Sequence, residues 1–294
     1  MTRVPAKLLI FGEYSILLGS SALSMPFPKF GASFDFIHHE STGTLSEASE
    51  SNNHLAGMCD YLWERSAFFN EHLDLERFRA DIGRGLYLKS DIPQRYGAGS
   101  SGALCAAVFK EYRSNRKGSS LGTEVYSYQS LREIFVEMES FFHGRSSGFD
   151  PLVSFLNMPL ILNNNKEVIP VSPLEQMFSD SGVQMVLIDS GQQCSTGSLV
   201  SGFLASFAPG GIISDSGHVL CTLVDAAIGK VLAGDVNGLW DEITGISRFQ
   251  LTNMGHLIPA LLKPVWAEGL QTGKFAMKLC GSGGGGFLLC FTML

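Results

Sequence analysis

The sequence predicts a two-domain fold of mixed helices and strands, and three observations support this. The chain has 294 residues, whereas an ordinary globular domain has roughly 150. Short apolar stretches typical of strands alternate along the chain with longer stretches of helical periodicity. A polar stretch that contains Pro170 and Pro173 runs to Gly182 between two such groups. We therefore expect domains at residues 1–175 and 176–294.

The charge balance and the cysteine content exclude several classes of protein. Lys plus Arg number 21 against 28 for Asp plus Glu, so the net charge is −7, without the basic excess of a nucleic-acid-binding surface. Hydrophobic residues make up 45% of the chain, which is typical of a compact globular protein rather than a disordered one. The six cysteines form no CxxC pair, so neither a zinc site nor a disulfide framework is indicated. We expect a cytoplasmic protein with no nucleic-acid partner.

The start of the chain resembles a secretory leader only superficially. Its apolar run is cut at five residues by Glu13, and no small-residue cleavage site follows a longer run. Leu8–Phe11 is therefore predicted to be a buried strand. No stretch approaches the roughly 18 apolar residues that a membrane-spanning helix needs, so we expect no membrane partner.

The elements before the first glycine-rich loop are predicted from their composition and periodicity. Leu8–Phe11 and Ala32–Ile37 are strand-like, Asn53–Asn70 is helical, and Gly85–Ser90 is a strand that leads to Pro93. Regular structure must end at Pro93, because proline has no backbone N–H and a fixed φ. A strand followed by a glycine loop and a helix is the order found in phosphate-binding segments.

Two helices are predicted after this loop. In the first, Leu104, Val108 and Tyr112 recur four residues apart and therefore share one face. The second carries apolar residues at helical spacing, at Leu131, Ile134, Phe135, Met138 and Phe142. It is predicted to end near Gly144, because glycine readily adopts the left-handed conformation that closes a helix.

A hairpin and a second group of elements complete the chain. Leu160–Leu162 and Val168–Val171 flank an Asn-rich turn and are predicted to pair. A new strand is predicted at Val183–Ile188. Helices are then predicted at residues 200–207, 218–232, 236–246 and 256–268. The chain closes with two predicted strands, Phe275–Cys280 and Phe287–Phe291, around a glycine turn.

The first segment that carries chemistry is the loop Pro93–Gly102, which opens directly into a helix. Its glycines allow backbone N–H groups to point at one centre, and the helix start adds partial positive charge, so phosphate oxygens fit there. Ser100 and Ser101 add hydroxyls for phosphate or metal. No Lys follows the last glycine, and the glycine spacing differs from that of dinucleotide-binding loops. The alternative is a plain turn with a helix N-cap.

The second segment runs from Glu139 to Asp150. On a helix, Glu139 lies at the margin of the apolar stripe, where its carboxylate can reach a half-buried site and bind magnesium. Gly144 and Gly148 allow the chain to fold back and present Asp150 near the same place. Two alternatives stay open. In the first alternative, Asp150 is only an N-cap, since Asp-Pro often opens a helix. In the second, His143 is only a helix-end residue that donates to a carbonyl.

The third segment, Lys278–Phe287, contains glycine at position 281 and at positions 283–286. These glycines exceed what a hairpin requires, and crowding of the backbone against a bound group explains them better. Cys280 has no evident His or Asn partner. It is therefore predicted to be a small buried side chain rather than a nucleophile.

These segments resemble, in order and spacing, the three motifs of the GHMP kinases, a superfamily that includes galactokinase, homoserine kinase, mevalonate kinase and phosphomevalonate kinase. Pro5–Tyr14, Pro93–Ser101 and Gly281–Gly286 carry the resemblance. It implies a two-domain α+β fold, with an N-terminal domain of the ribosomal-protein-S5 type and a C-terminal ferredoxin-like domain. It also implies ATP and Mg²⁺ as cofactors.

The resemblance implies a role for each matching residue. Asp150 would orient or deprotonate the acceptor hydroxyl, and Lys7 would stabilise charge on the attacking and transferred groups. Ser101 and Glu139 would hold magnesium, and Thr196 would lie near the γ-phosphate. The residues implied to contact ATP are Gly97, Ala98, Gly99, Ser100, Ser101, Gly102, Thr196, Gly281, Gly283 and Gly284.

Within the superfamily the chain is most similar to mevalonate kinase. In that family a stretch of the form His-Gly-x-x-Ser-Gly-x-Asp places the catalytic Asp eleven positions after the magnesium-binding Glu, as Asp150 follows Glu139 here. The motif Gly12-Glu13-Tyr14 is closer to phosphomevalonate kinases, since mevalonate kinases usually have Gly-Glu-His there. The residues implied to contact the substrate are Glu13, Tyr14 and Gly148.

The motifs favour mevalonate as the small-molecule substrate. Apart from Lys7 and Arg145 they contain few basic residues, and a phosphorylated acceptor needs more cationic groups than a carboxylate does. Three alternatives stay open: a phosphomevalonate kinase, a kinase of a sugar or of homoserine, and a noncatalytic binding protein of the same fold. The chain is expected to be a monomer or a homodimer.

Overall fold

The computed structural model describes residues 2–37, 45–114, 126–144, 146–174, 178, 182–193, 199, 201–203, 214–235 and 238–293. The chain divides into two compact units that are interleaved along the sequence. Unit one comprises Met1–Lys7, Pro26–Ile92 and Gly99–Asn157, and unit two comprises Leu8–Met25, Pro93–Ala98 and Met158–Leu294. Strands β1 (Val4–Phe11) and β2 (Ala22–Phe36) contribute residues to both units.

Unit one combines helices with strands, which include an antiparallel pair. Strand β3 (Leu86–Ser90) pairs with the second half of β2, with Ala32 opposite Ser90 and Phe36 opposite Leu86. The helices of the described residues in this unit are α1 (Leu45–Glu64), α2 (Ser66–Phe69), α3 (Leu75–Gly83), α4 (Ser100–Tyr112), α5 (Tyr128–His143) and α6 (Phe149–Leu156). They supply the packing that positions the polar residues discussed below.

Helix α4 is the central helix of unit one. Its small and apolar residues are buried on nearly every side, as expected for a helix that lies inside a core. Phe109 on α4, Phe135 on α5 and Phe155 on α6 form a cluster, with ring centroids 5.3 to 5.6 Å apart. Edge-to-face contacts of this kind stabilise the packing beyond the buried area alone. The three helices that carry Ser101, Glu139 and Asp150 therefore share one aromatic core.

Unit two contains two groups of strands. Strand β4 (Leu160–Leu162) pairs with the first residues of β2 and, on its other side, with β5 (Val168–Pro170). A separate antiparallel sheet has the order β6 (Val183–Asp189), β8 (Phe287–Met293), β7 (Phe275–Leu279). Together with the helices, these strands confirm the predicted α+β class.

Of the following helices of unit two, the last two pack against the second sheet and the first packs against the second helix. They are α7 (Ser214–Ala233), α8 (Leu239–Asn253) and α9 (Lys263–Thr272). On α8, the side-chain oxygen of Gln250 accepts the backbone N–H of Leu279 on β7, at 2.9 Å. Trp266 on α9 is fully buried and donates its indole N–H to Ser247 at 2.8 Å. These polar contacts satisfy groups that burial would otherwise leave without partners.

By length and composition, the window Ser216–Ala233 of helix α7 could cross a membrane, so the expectation that no stretch approaches the length and hydropathy of a membrane-spanning helix is wrong. One such helix is weak evidence, because core helices of soluble proteins pass the same test. Inside unit two, Asp225 on this helix accepts the backbone N–H of Ser21 at 2.8 Å. Lys230 pairs with Glu242 on α8 at 3.0 Å. The helix thus takes part in the polar contacts of its own folded unit.

Most of the predicted elements are confirmed, and two predicted helices are wrong in part: Asn53–Asn70, which corresponds to α1 and α2, and residues 256–268. The helix predicted at residues 256–268 is two short 3₁₀ helices, Gly255–Leu257 and Ala260–Leu262, before α9 begins at Lys263. Pro259 lies between them, and proline cannot supply the N–H that a continuous helix needs there. The helix predicted at residues 200–207 lies largely outside the described residues. Residue 175 does too, and the domain boundary placed there stays a prediction.

Candidate functional site

A buried lysine and a half-exposed aspartate form the first part of the candidate site, within unit one. The ammonium of Lys7, on strand β1, lies 2.9 Å from the carboxylate of Asp150. The Lys7 side chain is 5% exposed and that of Asp150 is 34% exposed. The pair therefore combines a desolvated positive charge with a carboxylate that a small molecule can reach from solvent.

Asp150 lies in the first turn of α6 rather than at its N-cap. Gly148 is the N-cap, with φ 68°, so the alternative in which Asp150 caps the helix is wrong. Pro151 follows within the same turn, where a proline is tolerated because its missing N–H has no partner inside the helix. A Cβ at Gly148 would overlap backbone atoms of Arg132 and Val136 on α5. Glycine at 148 thus lets the start of α6 approach α5.

The carboxylate of Glu139, on α5, is buried and held by two serine hydroxyls. Ser101 donates to one carboxylate oxygen at 3.2 Å, and Ser146 donates to the other. The Ser146 hydroxyl in turn accepts the backbone N–H of Gly148 at 2.9 Å. Glu139 is 5% exposed, so these bonds set the direction in which the carboxylate points.

The environment of Glu139 favours its neutral form in the absence of a cation. Burial, and after it the negative charge of Asp150, raises the pKa of Glu139 to about 7. The hydrogen bonds from Ser146 and Ser101 and the charge of Lys7 act in the opposite direction. Ionising a buried carboxylate costs free energy, but the ionised form becomes favourable when a cation binds to it.

The donor set around Glu139 fits magnesium. Carboxylate and hydroxyl oxygens are ligands that Mg²⁺ prefers, and Mg²⁺ usually takes one or two carboxylates from the protein, with phosphates and water completing its shell. Within the described ranges, no group of three or more His, Cys, Asp or Glu residues converges as a metal cage. Glu139 and Ser101 therefore fit a metal held jointly with phosphate groups.

The start of α4 is packed closely against these residues. Gly99 is the N-cap, with φ 73°, and a Cβ there would lie 2.7 Å from the Lys7 side chain. A Cβ at Gly102 would lie 2.9 Å from the backbone nitrogen of Pro151. Ser100 and Ser101 occupy the first helical positions. Because Gly99 has no side chain to cap the first turn, the polar end of α4 fits a phosphate.

The other described residues that were predicted to contact ATP lie in unit two. Ala98 is buried. A Cβ at Gly97 would lie 2.5 Å from the carbonyl oxygen of Cys280, and one at Gly281 would lie 2.8 Å from the Cα of Gly97. A Cβ at Gly283 would lie 2.9 Å from the carbonyl oxygen of Leu257. Much of the backbone crowding expected against a bound group is thus crowding against the chain's own backbone.

Two amides of this glycine turn already have partners within unit two. The N–H of Gly284 donates to the carbonyl of Leu257, and that of Gly286 donates to the carbonyl of Gln192, both at 2.6 Å. Gly284 was predicted to contact ATP, and its backbone N–H is occupied by this bond. The neighbouring Cys280 is buried, as expected for a small structural side chain.

Glu13 and Tyr14, predicted to contact the substrate, are buried in unit two. Glu13 forms an ion pair with Lys278 at 2.5 Å, and both side chains are almost completely buried. Tyr14 donates its hydroxyl to the carbonyl of Ser282 and packs its ring on Phe203, with centroids 4.4 Å apart. These contacts join the first motif to the third.

Two polar residues near these motifs were not predicted from the sequence, and others named in the sequence analysis lie outside the described part of the structure. Lys278 was overlooked, although a single lysine in the apolar strand Phe275–Cys280 is a signal for a buried ion pair. Ser146 has no such signal, because serine is common in turns. Thr196 and Arg145 lie outside the described residues, and so does the side chain of His143. The role predicted for Thr196 stays a prediction.

Comparison with known proteins shows what this chain is similar to. Residues 60–157 match the family model for the GHMP kinases N terminal domain. Comparison with curated proteins gave no match.

Three solved structures illustrate the similarity of fold. Mevalonate kinase of L. major in complex with R-mevalonate is 14% identical, with 99% of this chain and 86% of that chain covered and a TM-score of 0.62. Mevalonate kinase of Methanococcus jannaschii is 16% identical, with 100% and 98% covered and a TM-score of 0.62. Phosphomevalonate kinase of Streptococcus pneumoniae, in complex with phosphomevalonate and AMPPNP, is 13% identical, with 100% and 92% covered and a TM-score of 0.62. The chain therefore matches the model of the GHMP kinases N terminal domain over residues 60–157 and has the fold of these kinase structures.

Proposed function

We propose that this protein is an ATP-dependent kinase that phosphorylates the hydroxyl group of mevalonate. The observation that carries the proposal is the pair of Lys7 and Asp150, 2.9 Å apart, beside the buried carboxylate of Glu139 and the start of α4. Phosphoryl transfer requires in-line positioning and fixed positive charge, with little covalent chemistry from the protein. Each requirement has a candidate residue within unit one.

Asp150 is the group proposed to act on the acceptor. Its half-exposed carboxylate can accept a hydrogen bond from an alcohol, which orients the hydroxyl and draws its proton away as the new bond forms. Lys7 contacts the same carboxylate and is buried, so its charge is little weakened by solvent. We propose that Lys7 keeps Asp150 oriented and stabilises the negative charge of the transferred group.

Glu139 and Ser101 are the groups proposed to hold magnesium, and Gly97–Gly102 with the first turn of α4 are proposed to hold the ATP phosphates. Magnesium held by these two groups would supply positive charge that offsets the negative charge developing on the phosphates. Ser146 orients the Glu139 carboxylate through its hydroxyl. Gly99 and Gly102 allow α4 to lie close to Lys7 and Asp150 without obstruction by a side chain.

Mevalonate is proposed as the acceptor because the motifs hold few cationic groups. Lys278, the one basic residue of the third motif, is buried and paired with Glu13, so it is committed to that carboxylate. A phosphorylated acceptor needs more positive charge than the carboxylate of mevalonate does. The similar structures include mevalonate kinases, one of them in complex with R-mevalonate.

Phosphomevalonate is the second candidate acceptor. The motif Gly12-Glu13-Tyr14 favours it, and a phosphomevalonate kinase is among the similar structures. A noncatalytic binding protein is less well supported, because a binding module has no need of a carboxylate placed beside a buried lysine.

A panel of acceptors tests the proposal. Purified protein is incubated with Mg-ATP and, separately, with mevalonate, phosphomevalonate, homoserine or galactose, while ADP release and product mass are measured. Turnover with mevalonate and a mass gain of one phosphate are expected. Turnover with phosphomevalonate alone would keep the proposed magnesium and phosphate residues but change the acceptor. The absence of ADP release with all four would contradict the proposed activity.

A further inference from the structure

The ion pair between Glu13 and Lys278 is the most deeply buried pair of charges among the described ion pairs. Their side chains are 2% and 1% exposed. The Lys278 ammonium also donates to the carbonyl of Leu279 at 2.6 Å. Burying two charges costs free energy that their attraction only partly returns, and such pairs are best explained where they specify one arrangement of the chain. Here the arrangement specified is that of β7, the strand leading into the glycine turn.

Tyr14 makes a second connection to the same segment. Its φ is 65°, a left-handed conformation that is uncommon for a residue with a side chain. Its hydroxyl donates to the carbonyl of Ser282, inside the glycine turn, and its ring packs on Phe203. Glu13 and Tyr14 are consecutive, so one short stretch of chain binds the residues on both sides of Cys280–Gly281.

The glycine turn in turn supports the first half of the predicted phosphate loop. Gly281 lies against Gly97, and Gly286 lies against Tyr96, each too close for a Cβ. The backbone N–H of Phe287 donates to the carbonyl of Tyr96 at 3.3 Å. All of these residues belong to unit two. A displacement of the turn would therefore displace the segment Pro93–Ala98 that rests on it.

From these contacts we infer that Glu13 and Tyr14 are positioning residues for the glycine turn Gly281–Gly286, and through it for the phosphate loop, rather than groups that select the acceptor. The tyrosine hydroxyl acts on the turn through the Ser282 carbonyl. This inference deepens the proposed function, and its kinetic consequence rests on that function. Its structural consequence, the ordering of the turn, does not.

The structural consequence is tested with Tyr14→Phe, which removes the hydroxyl and keeps the ring. Tyr61→Phe is the matched control, because Tyr61 also donates its hydroxyl to a backbone carbonyl, that of Glu137. Amide hydrogen exchange of a peptide covering residues 279–287 is measured without nucleotide. We expect exchange in this peptide to be several-fold faster in Tyr14→Phe than in the wild type and in Tyr61→Phe. Equal exchange in the three proteins would overturn the inference.

The kinetic consequence is tested on the same variants. Tyr14→Phe is expected to raise the KM for ATP several-fold while leaving the KM for the acceptor unchanged, and Tyr61→Phe is expected to change neither. An increase confined to the acceptor KM, or an unchanged KM for ATP, would overturn the positioning role. If the wild type shows no turnover with any acceptor, the proposed function fails, and the exchange experiment alone decides the inference.

Discussion

At the scale of single residues, the proposed chemistry depends on charged groups that lie close together and are largely shielded from solvent. The carboxylate of Asp150 faces the buried ammonium of Lys7, and the carboxylate of Glu139 receives two serine hydroxyls. Each contact sets the direction of a side chain as well as its charge. Substitutions that keep the shape and remove the charge therefore test these residues most directly.

Asp150→Asn is expected to lower kcat by about 10²- to 10⁴-fold, the usual contribution of a positioned general base. ATP affinity is expected to change little, because Asp150 acts on the acceptor hydroxyl. The measurement is ADP release over a range of ATP concentrations. Asp241→Asn is the matched control, since Asp241 also lies in the first turn of a helix. Equal turnover of Asp150→Asn and wild type would remove Asp150 from the proposed role.

Glu139→Gln is expected to raise the magnesium concentration required for half-maximal activity by about tenfold or more. The amide keeps the size of the side chain and loses the charge that attracts the cation. Glu137→Gln is the control, because Glu137 lies on the same helix with its side chain exposed. Magnesium titrations of ADP release compare the three proteins. Identical titrations would contradict the assignment of Glu139 as a metal ligand.

The metal-free protein is expected to lose stability as the pH rises from about 4.5 to about 7, because folding raises the pKa of Glu139 from 4.5 to about 7. The protonated carboxyl is favoured in the folded state, so its contribution is complete below 4.5 and is lost as the group ionises. The contribution is on the order of 3 kcal/mol. Unfolding by denaturant with EDTA at pH 5 and pH 8 measures it. Glu139→Gln should flatten this dependence, and parallel profiles would show that Glu139 is not responsible.

The sequence indicated four candidate residues that lie together in the structure, and it did not indicate the residues that support them. Lys7 and Ser101 lie in the first two motifs, Glu139 and Asp150 lie in the segment that resembles mevalonate kinase, and all four lie close together within unit one. Ser146 was missed because its hydroxyl gains importance only from the fold of the turn before α6. The capping alternative for Asp150 was wrong, since a glycine takes the cap position when the preceding turn requires a positive φ.

At the scale of helices and strands, glycine determines how closely elements approach one another. Helix α4 lies against the start of α6 because Gly102 has no side chain there. The same residue type in an exposed helix has the opposite meaning, since it only weakens the helix. Two glycines in helices can therefore be compared by one substitution.

Gly102→Ala is expected to lower the free energy of unfolding by about 1–3 kcal/mol, because the added methyl group meets backbone atoms that cannot yield easily. It is also expected to lower kcat, since the overlap is with Asp150 and Pro151. Gly229→Ala on α7 is the control. No atom lies within 4 Å of a Cβ there, so a gain of about 0.5–1 kcal/mol is expected. Denaturant unfolding of both variants decides the matter, and a stable, fully active Gly102→Ala would refute the packing argument.

Apolar periodicity predicted where helices and strands occur, whereas local interruptions of that periodicity made the predicted ends of the elements less accurate. Helix α5 was predicted to close at Gly144, and it ends at His143 with Gly144 as its C-cap. The helix predicted at Asn53–Asn70 begins earlier, at Leu45, and stops at Glu64 before a separate turn of helix. Its first turns are rich in Ser, Glu and Asn, so the apolar periodicity that predicts a helix is missing there. In the structure, these turns are helical and Ala48 is buried.

At the scale of the whole molecule, the two compact units are interleaved along the chain. Residues Leu8–Met25 and Pro93–Ala98 pack with Met158–Leu294, although residues between them belong to the other unit. Short sequence signals cannot predict such an arrangement, because it depends on contacts between residues that are hundreds of positions apart. The pair of Glu13 and Lys278 is separated by 265 positions.

A fragment of residues 1–175 is expected not to fold cooperatively on its own. It lacks β7 and β8, so Glu13 would lose Lys278 and Tyr14 would lose Ser282. Leaving a buried charge without its partner is strongly destabilising. Thermal unfolding followed by circular dichroism compares the fragment with the full chain. A sharp transition in the fragment, close to that of the full chain, would contradict this expectation.

The buried pair of Glu13 and Lys278 also restricts how the sequence can drift under selection. Replacing only one of the two residues leaves the other charge buried without its partner. Replacing both with apolar residues of similar volume is often tolerated at such a position. A series of single substitutions that leads from the charged pair to an apolar pair therefore passes through an unstable intermediate sequence. In a library that randomises both positions, survivors should change the two together or keep both.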